Sequence, residues 1–177
     1  SAFDQIGDPE ARLLIGGDYL TVAGTSVIDR IRAAADGDPR IRILGLLRGQ
    51  QIADFYASID AFALPSVAES FGIAQAEAMM CGVPSVTTDL PGGRYPVVAT
   101  GMGLVVPPRS PSHLRTALLD VLTWSAARRA DGAARARDLF GLAGCLDRYA
   151  ALFDSVALTP AAAAIALDQG SRSNLGS

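Results

Sequence analysis

The chain has no lysine; all 15 of its basic side chains are arginine. Chemistry that carries a cofactor on a lysine Schiff base is therefore excluded. It has one histidine, His113, placed at the start of a predicted helix after "PPRSPS", where a surface or capping role is expected. Its two cysteines, Cys81 and Cys145, match no metal-ligand spacing and are too few for a disulfide framework, so buried free thiols are expected. No apolar run approaches the ~20 residues of a membrane-spanning helix, and the N-terminal residues lack a signal-peptide pattern. A cytoplasmic location is the expectation. The arginines are scattered, without like-charge blocks or aromatic interleaving, and the net charge is -3, which argues against a nucleic-acid partner.

What remains is a chain of 177 residues, 50% of them hydrophobic, enough for one domain with a real core. Short apolar runs alternate with helical patterns, the signature of βα units around a parallel sheet. Strands are predicted at 11–17, 40–45, 61–65, 84–88 and 103–107. Helices are predicted at 25–35, 49–59, 72–81, 110–124 and 127–156, the last interrupted near Gly141 and Gly144. Residues 157–177 form an Ala-rich segment that turns polar, and its end, "QGSRSNLGS", is expected to be a disordered tail. The fold class expected is α/β, a doubly wound, mostly parallel sheet of about five strands, whose ligands bind beyond the carboxyl ends of the strands.

Only three glutamates occur, and two of them, Glu69 and Glu77, stand eight positions apart. Glu69 falls in the loop after a predicted strand, and Glu77 in the helix that follows. Between them Ser70, Phe71, Gly72 and Ile73 offer backbone N–H groups at a helix N-terminus, where donors lack intrahelical partners and the dipole favours an anion such as phosphate. Gly72 lets a ligand approach the backbone. A carboxylate on either side suits paired hydroxyls, since its two oxygens accept one each. A nucleotide sugar combines these features. The competing reading is that Glu69 caps its own helix and Glu77 is a solvated helix residue.

Residues 56–93, "YASIDAFALPSVAESFGIAQAEAMMCGVPSVTTDLPGG", resemble the donor-binding segment of family 4 retaining glycosyltransferases of the GT-B fold. The matches are Pro65-Ser66 closing a strand, Glu69-Ser70-Phe71-Gly72-Ile73, Glu77, Gly82-Val83-Pro84, and Gly92-Gly93. The similarity runs from about Phe3 to Phe153. It implies a nucleotide-sugar-binding domain over residues 1–156, the C-terminal half of such an enzyme. Glu69 would act as the catalytic-side residue on the transferred sugar. The backbone around Ser70, Phe71, Gly72 and Ile73 would hold sugar hydroxyls and diphosphate, and Glu77 the ribose diol. The loop with Leu47 and Arg48 would meet the base. The resemblance implies a UDP- or GDP-sugar donor, an N-terminal GT-B domain holding the acceptor, no cofactor and no metal, and membrane contact only peripherally through that other domain.

The sequence also departs from the family pattern. Relatives place an Arg and a Lys on the first strand and helix of this domain, yet this chain opens at "SAFDQIGDPEARLLIGG", which resembles the end of that helix. The first strand is thus expected to be missing, and the chain alone to be inactive, because a departing diphosphate without those cations forfeits several kcal/mol of stabilisation. After Gly93, where many relatives carry a Glu, the residues are Arg94, Tyr95 and Pro96; Arg94 could offer charge to a phosphate. "GMG" at 101–103 precedes a strand instead of following one, so it is not a dinucleotide fingerprint. An epimerase on this fold would show more acids and histidines near the donor, and a phosphorylase needs a lysine. The alternative from another class is a non-catalytic α/β module used for partner binding.

Overall fold

A computed structural model describes residues 1–17, 21–22, 25–35 and 37–157; the predicted tail lies outside the described residues. In chain order the elements are β1 (Leu13–Gly16), β2 (Thr21–Val22), β3 (Thr25–Ser26), α1 (Val27–Ala35), β4 (Ile41–Gly45), α2 (Gln50–Ala57), β5 (Phe62–Leu64), α3 (Ile73–Met80), β6 (Ser85–Thr88), α4 (Tyr95–Thr100), β7 (Gly103–Val106), α5 (Pro111–Leu122), α6 (Ala126–Phe140) and α7 (Leu142–Ala157).

The five expected strands are all present and parallel, but they form two ladders. β1 pairs with β4, Leu13 opposite Ile41 and Ile15 opposite Ile43. In the second ladder β6 is central, with Val86 opposite Ala63 of β5 on one side and Leu104 of β7 on the other. Covered on both faces and both edges, β6 has all four residues buried, the pattern expected of a central parallel strand. The hairpin β2–β3, which the apolar pattern did not signal, pairs Thr21 with Ser26. It also delays the first helix: Ser26 Oγ accepts from the Asp29 amide at 3.3 Å, an N-terminal cap that starts α1 at Val27.

Three apolar clusters form the core. Val86, Val106, Ala117, Val121 and Trp124 pack the second ladder against α5. Met79, Val97, Met102 and Ala136 join α3, α4 and α6. Tyr56, Ala78 and Val83 join α2 to α3. Gly132 is required where α6 crosses Met102, since a Cβ there would lie 2.4 Å from the Met102 sulfur. α6 ends at Gly141, whose backbone is extended (φ -64°, ψ 145°), while Gly144 sits inside α7. α4 was not anticipated, because "YPVVAT" reads as a short apolar run; Pro96 in its first turn fits a helix start. The cysteines are free, as expected, but neither is buried. Cys81 is exposed at the end of α3, and Cys145 is partly exposed on α7. No helix among the described residues is long and apolar enough to cross a membrane.

Candidate functional site

The loops after β4, β5 and β6 leave the carboxyl ends of parallel strands, the edge where a doubly wound sheet takes its ligands. The loop after β5 carries Glu69. One oxygen of its carboxylate, Oε1, accepts from three successive amides: Ser70 at 2.9 Å, Phe71 at 3.3 Å and Gly72 at 3.1 Å. These amides form a concave N–H cradle just ahead of α3, and the negative charge at that end also complements the helix dipole. Gly72 takes a left-handed conformation (φ 82°, ψ 64°), which favours glycine. Space demands glycine as well, because a Cβ would fall 2.5 Å from Gln75 Nε2 and 2.7 Å from Leu64 Cδ2. Ile73, the first residue of α3, is exposed.

The loop after β6 closes on this cradle from the other side. A Cβ on Gly92 would lie 2.0 Å from the Ser70 carbonyl oxygen, and one on Gly93 would press the Glu69 side chain at 3.1 Å. The Gly-Gly pair is thus the condition for two backbones to meet. Arg94 follows at once, but its guanidinium is committed to Asp89 at 2.5 Å, so its charge is already balanced.

Glu77 is not simply a solvated helix residue. It is partly buried on α3, and its carboxylate accepts from the Tyr56 hydroxyl of α2 at 2.8 Å. Burial first, and the Glu77 hydrogen bond second, hold the Tyr56 phenol well above the ordinary tyrosine range. Sequence reasoning did not find Tyr56. Its signal is a tyrosine among the apolar positions Ile52 and Phe55 of α2 and Ile59 just after it, where a buried hydroxyl needs a partner.

Leu47 and Arg48 lie in the β4–α2 loop, and among the described residues no hydrogen bond joins them to either glutamate. Leu47 packs over Gly16, within 3.1 Å of where its Cβ would be. Arg48 is exposed, and its backbone amide donates to Gln51 Oε1 at 3.1 Å, starting α2. The loop connects to the glutamates through α2 itself, by way of Tyr56. The structure therefore gathers Glu69, Ser70, Phe71 and Gly72 into one cradle and sets Glu77 beyond it along α3. Leu47 and Arg48 fall on a neighbouring strand end. The ring face of Trp124 is covered by Arg128, whose guanidinium carbon sits 3.4 Å from the ring centre. His113 is exposed and hydrogen-bonded to Ser110 at 2.6 Å just before α5. Among the described residues no three His, Cys, Asp or Glu side chains gather as metal ligands would.

Parallel strands flanked by helices, with the glutamate-bearing loop and helix at the strand ends, define a Rossmann-like α/β domain, the fold that its solved neighbours share. The chain superposes on sucrose-phosphate synthase from Thermosynechococcus elongatus with a TM-score of 0.74, at 23% identity, covering 88% of this chain and 40% of that one. It matches a glycosyltransferase from Rickettsia africae with a TM-score of 0.75 at 16% identity, covering 89% and 43%. Residues 1–123 match the family model "Glycosyl transferases group 1", and the chain belongs to that family. Among curated relatives it is 33% identical over 120 residues to a D-inositol 3-phosphate glycosyltransferase of Kineococcus radiotolerans, covering 63% of this chain and 27% of that protein. Over 133 residues it is 33% identical to a GDP-mannose-dependent monoacylated alpha-(1-6)-phosphatidylinositol monomannoside mannosyltransferase of Corynebacterium glutamicum, covering 71% and 33%. The chain thus spans about a third or less of these relatives.

Proposed function

We propose that residues 1–156 are the donor half of a retaining glycosyltransferase and bind a UDP- or GDP-sugar. An N-terminal GT-B domain would hold the acceptor. The observation that carries this reading is the cradle: three convergent amides already hold one anionic oxygen, that of Glu69. An oxygen of a sugar-diphosphate presents the same acceptor chemistry to those N–H groups. A donor would displace the Glu69 carboxylate from the amides, and the freed side chain would accept from hydroxyls of the transferred sugar. Glu77, oriented by Tyr56, would take the ribose diol. The Leu47–Arg48 loop would face the base.

The strand order supports the domain assignment. In a doubly wound sheet of order 3-2-1-4-5-6, β4 and β1 correspond to strands 3 and 2, and β5, β6 and β7 to strands 4, 5 and 6. Strand 1 of that order would lie between the two ladders. In relatives the leaving diphosphate would help deprotonate the acceptor on the same face. This chain contains no lysine, and Arg94 is paired with Asp89, so neither a lysine nor an unpaired Arg94 is at hand to neutralise the charge that develops as the donor bond breaks. Binding without transfer is the expected behaviour of the chain alone. Calorimetric titration with UDP-glucose and GDP-mannose tests the reading. Saturable binding of at least one supports it, and absence of binding for both nucleotide sugars and for UDP and GDP favours the partner-binding module instead.

A further inference from the structure

The side chain of Gln75 has no solvent exposure, although it is polar and stands on the buried face of α3 with Ala76, Ala78 and Met79. Both of its amide donor bonds are directed at the loops of the candidate site. Nε2 donates to the Phe71 carbonyl at 3.0 Å and to the Gly93 carbonyl, and Oε1 accepts from Ser85 Oγ at 3.4 Å. One amide therefore joins the loop after β5, the loop after β6 and strand β6. The Phe71 carbonyl belongs to the same peptide unit as the Gly72 N–H. In a planar trans peptide those two groups point in opposite directions, so drawing the carbonyl inward onto Gln75 turns the Gly72 N–H outward. That N–H is the one that meets Glu69 at 3.1 Å. The second bond pins Gly93, where an added Cβ would lie 3.1 Å from the Glu69 Cβ and Cγ.

We infer that Gln75 is a positioning residue, which aims the Gly72 amide of the cradle and sets the Gly93 backbone against Glu69. The inference rests on the donor-site reading for its functional meaning, but its geometry can be tested separately. The variant Gln75→Met keeps the length of the side chain and removes both donors. In the 177-residue chain, Gly72 amide exchange should accelerate by roughly tenfold or more, the scale of one or two lost hydrogen bonds. The Ala78 and Met79 amides of the same helix should exchange as in the parent. Affinity for UDP-glucose or GDP-mannose should fall by a similar roughly tenfold factor, while UMP and GMP, which lack the sugar-diphosphate, bind unchanged. Equal acceleration at Gly72, Ala78 and Met79, or equal loss for all nucleotides, would make Gln75 a packing residue and overturn the inference, as would unchanged exchange at Gly72. Failure of the parent chain to bind any nucleotide would count against the donor-site reading alone, and the exchange contrast would then decide for or against Gln75. If Gln75→Met does not fold, Gln75→Glu, which keeps the size and replaces the donors by an acceptor, must give the same contrast.

Discussion

The two ladders of the sheet are built differently. Around β5, β6 and β7 the core is dense: β6 is buried throughout, and all three apolar clusters draw on residues from Ile52 onward. Around β1 and β4 it is thin. No residue of α1 is buried, Leu44 and Leu46 are exposed, and an apolar groove of about 80 Å³ remains between β1, β4 and α1. Polar ties hold the first 40 residues instead. Arg40 pairs with Asp38 at 2.7 Å, donates to the Ile6 carbonyl at 3.0 Å, and lies over the Phe3 ring at 4.7 Å, while Arg115 of α5 donates to the Gln5 carbonyl at 2.7 Å. A parallel sheet is normally covered on both faces, and a two-stranded pair with one helix supplies too little cover. The cradle sits on the dense side, so its geometry is set by packing; the loop with Leu47 and Arg48, proposed to face the base, belongs to the thin side.

The largest effect should come from the dense side. Met79, fully buried, should cost about 2–5 kcal/mol when changed to Ala, against less than about 1.5 kcal/mol for Ile28→Ala, whose side chain borders the groove and is only partly buried. Urea unfolding of both variants checks the contrast, and equal losses would erase it. Next, Gly92→Ala should destabilise by about 1–3 kcal/mol and weaken donor binding, because the added Cβ meets the Ser70 carbonyl oxygen at 2.0 Å; stability unchanged in the same urea series would show that the two loops can part freely. Tyr56→Phe should cost about 1 kcal/mol near neutrality. The folded-state phenol titrates above its unfolded value, so its contribution is complete below about pH 10 and declines as the pH rises above that; stability measured from pH 8 to 11 should fall less in the variant than in the parent. The smallest effect is on the thin side. Asp38 titrates below its ordinary range because Arg40 donates to it, so its contribution is present above about pH 4 and fades as the pH falls further. Asp38→Asn should flatten the acid limb, read by hydrogen exchange in β1 and β4 between pH 3 and 6.

Much of this was legible in the sequence. All five parallel strands follow from short apolar runs, and the break at Gly141 from a glycine in a helical pattern. Glu69, Gly72, Gly92 and Gly93 were singled out by their order in the motif, and the strand predicted to stop at Gly45 put the Leu47–Arg48 loop at a strand end. What escaped was contact between distant segments. A pattern of periods cannot say that Tyr56 reaches Glu77, or that Cys81 finishes its helix on the surface. Gln75 left a faint signal, a polar residue where the helical period calls for an apolar one, but its meaning required the positions of Phe71 and Gly93. The split into two ladders was invisible too, because periodicity identifies strands and not their neighbours. The competing reading of Glu69 as a cap of its own helix is met only in part: its Oε1 takes the Ser70, Phe71 and Gly72 amides just ahead of α3, and no side chain caps the helix itself.

The central claim is a division of labour, with Glu69 on the sugar and Glu77 on the ribose. Titration of Glu69→Ala and Glu77→Ala with UDP or GDP, and with the corresponding nucleotide sugar, tests it most directly, with Tyr56→Phe as control for lost orientation alone. Glu77→Ala should weaken both ligands by about ten- to a hundredfold, the scale of a charge-assisted hydrogen bond, and more than Tyr56→Phe does. Glu69→Ala should spare or tighten binding of the bare diphosphate, since it removes the carboxylate that occupies the amides, and should weaken only the nucleotide sugar. Equal losses from both glutamate variants on both ligands would contradict the account.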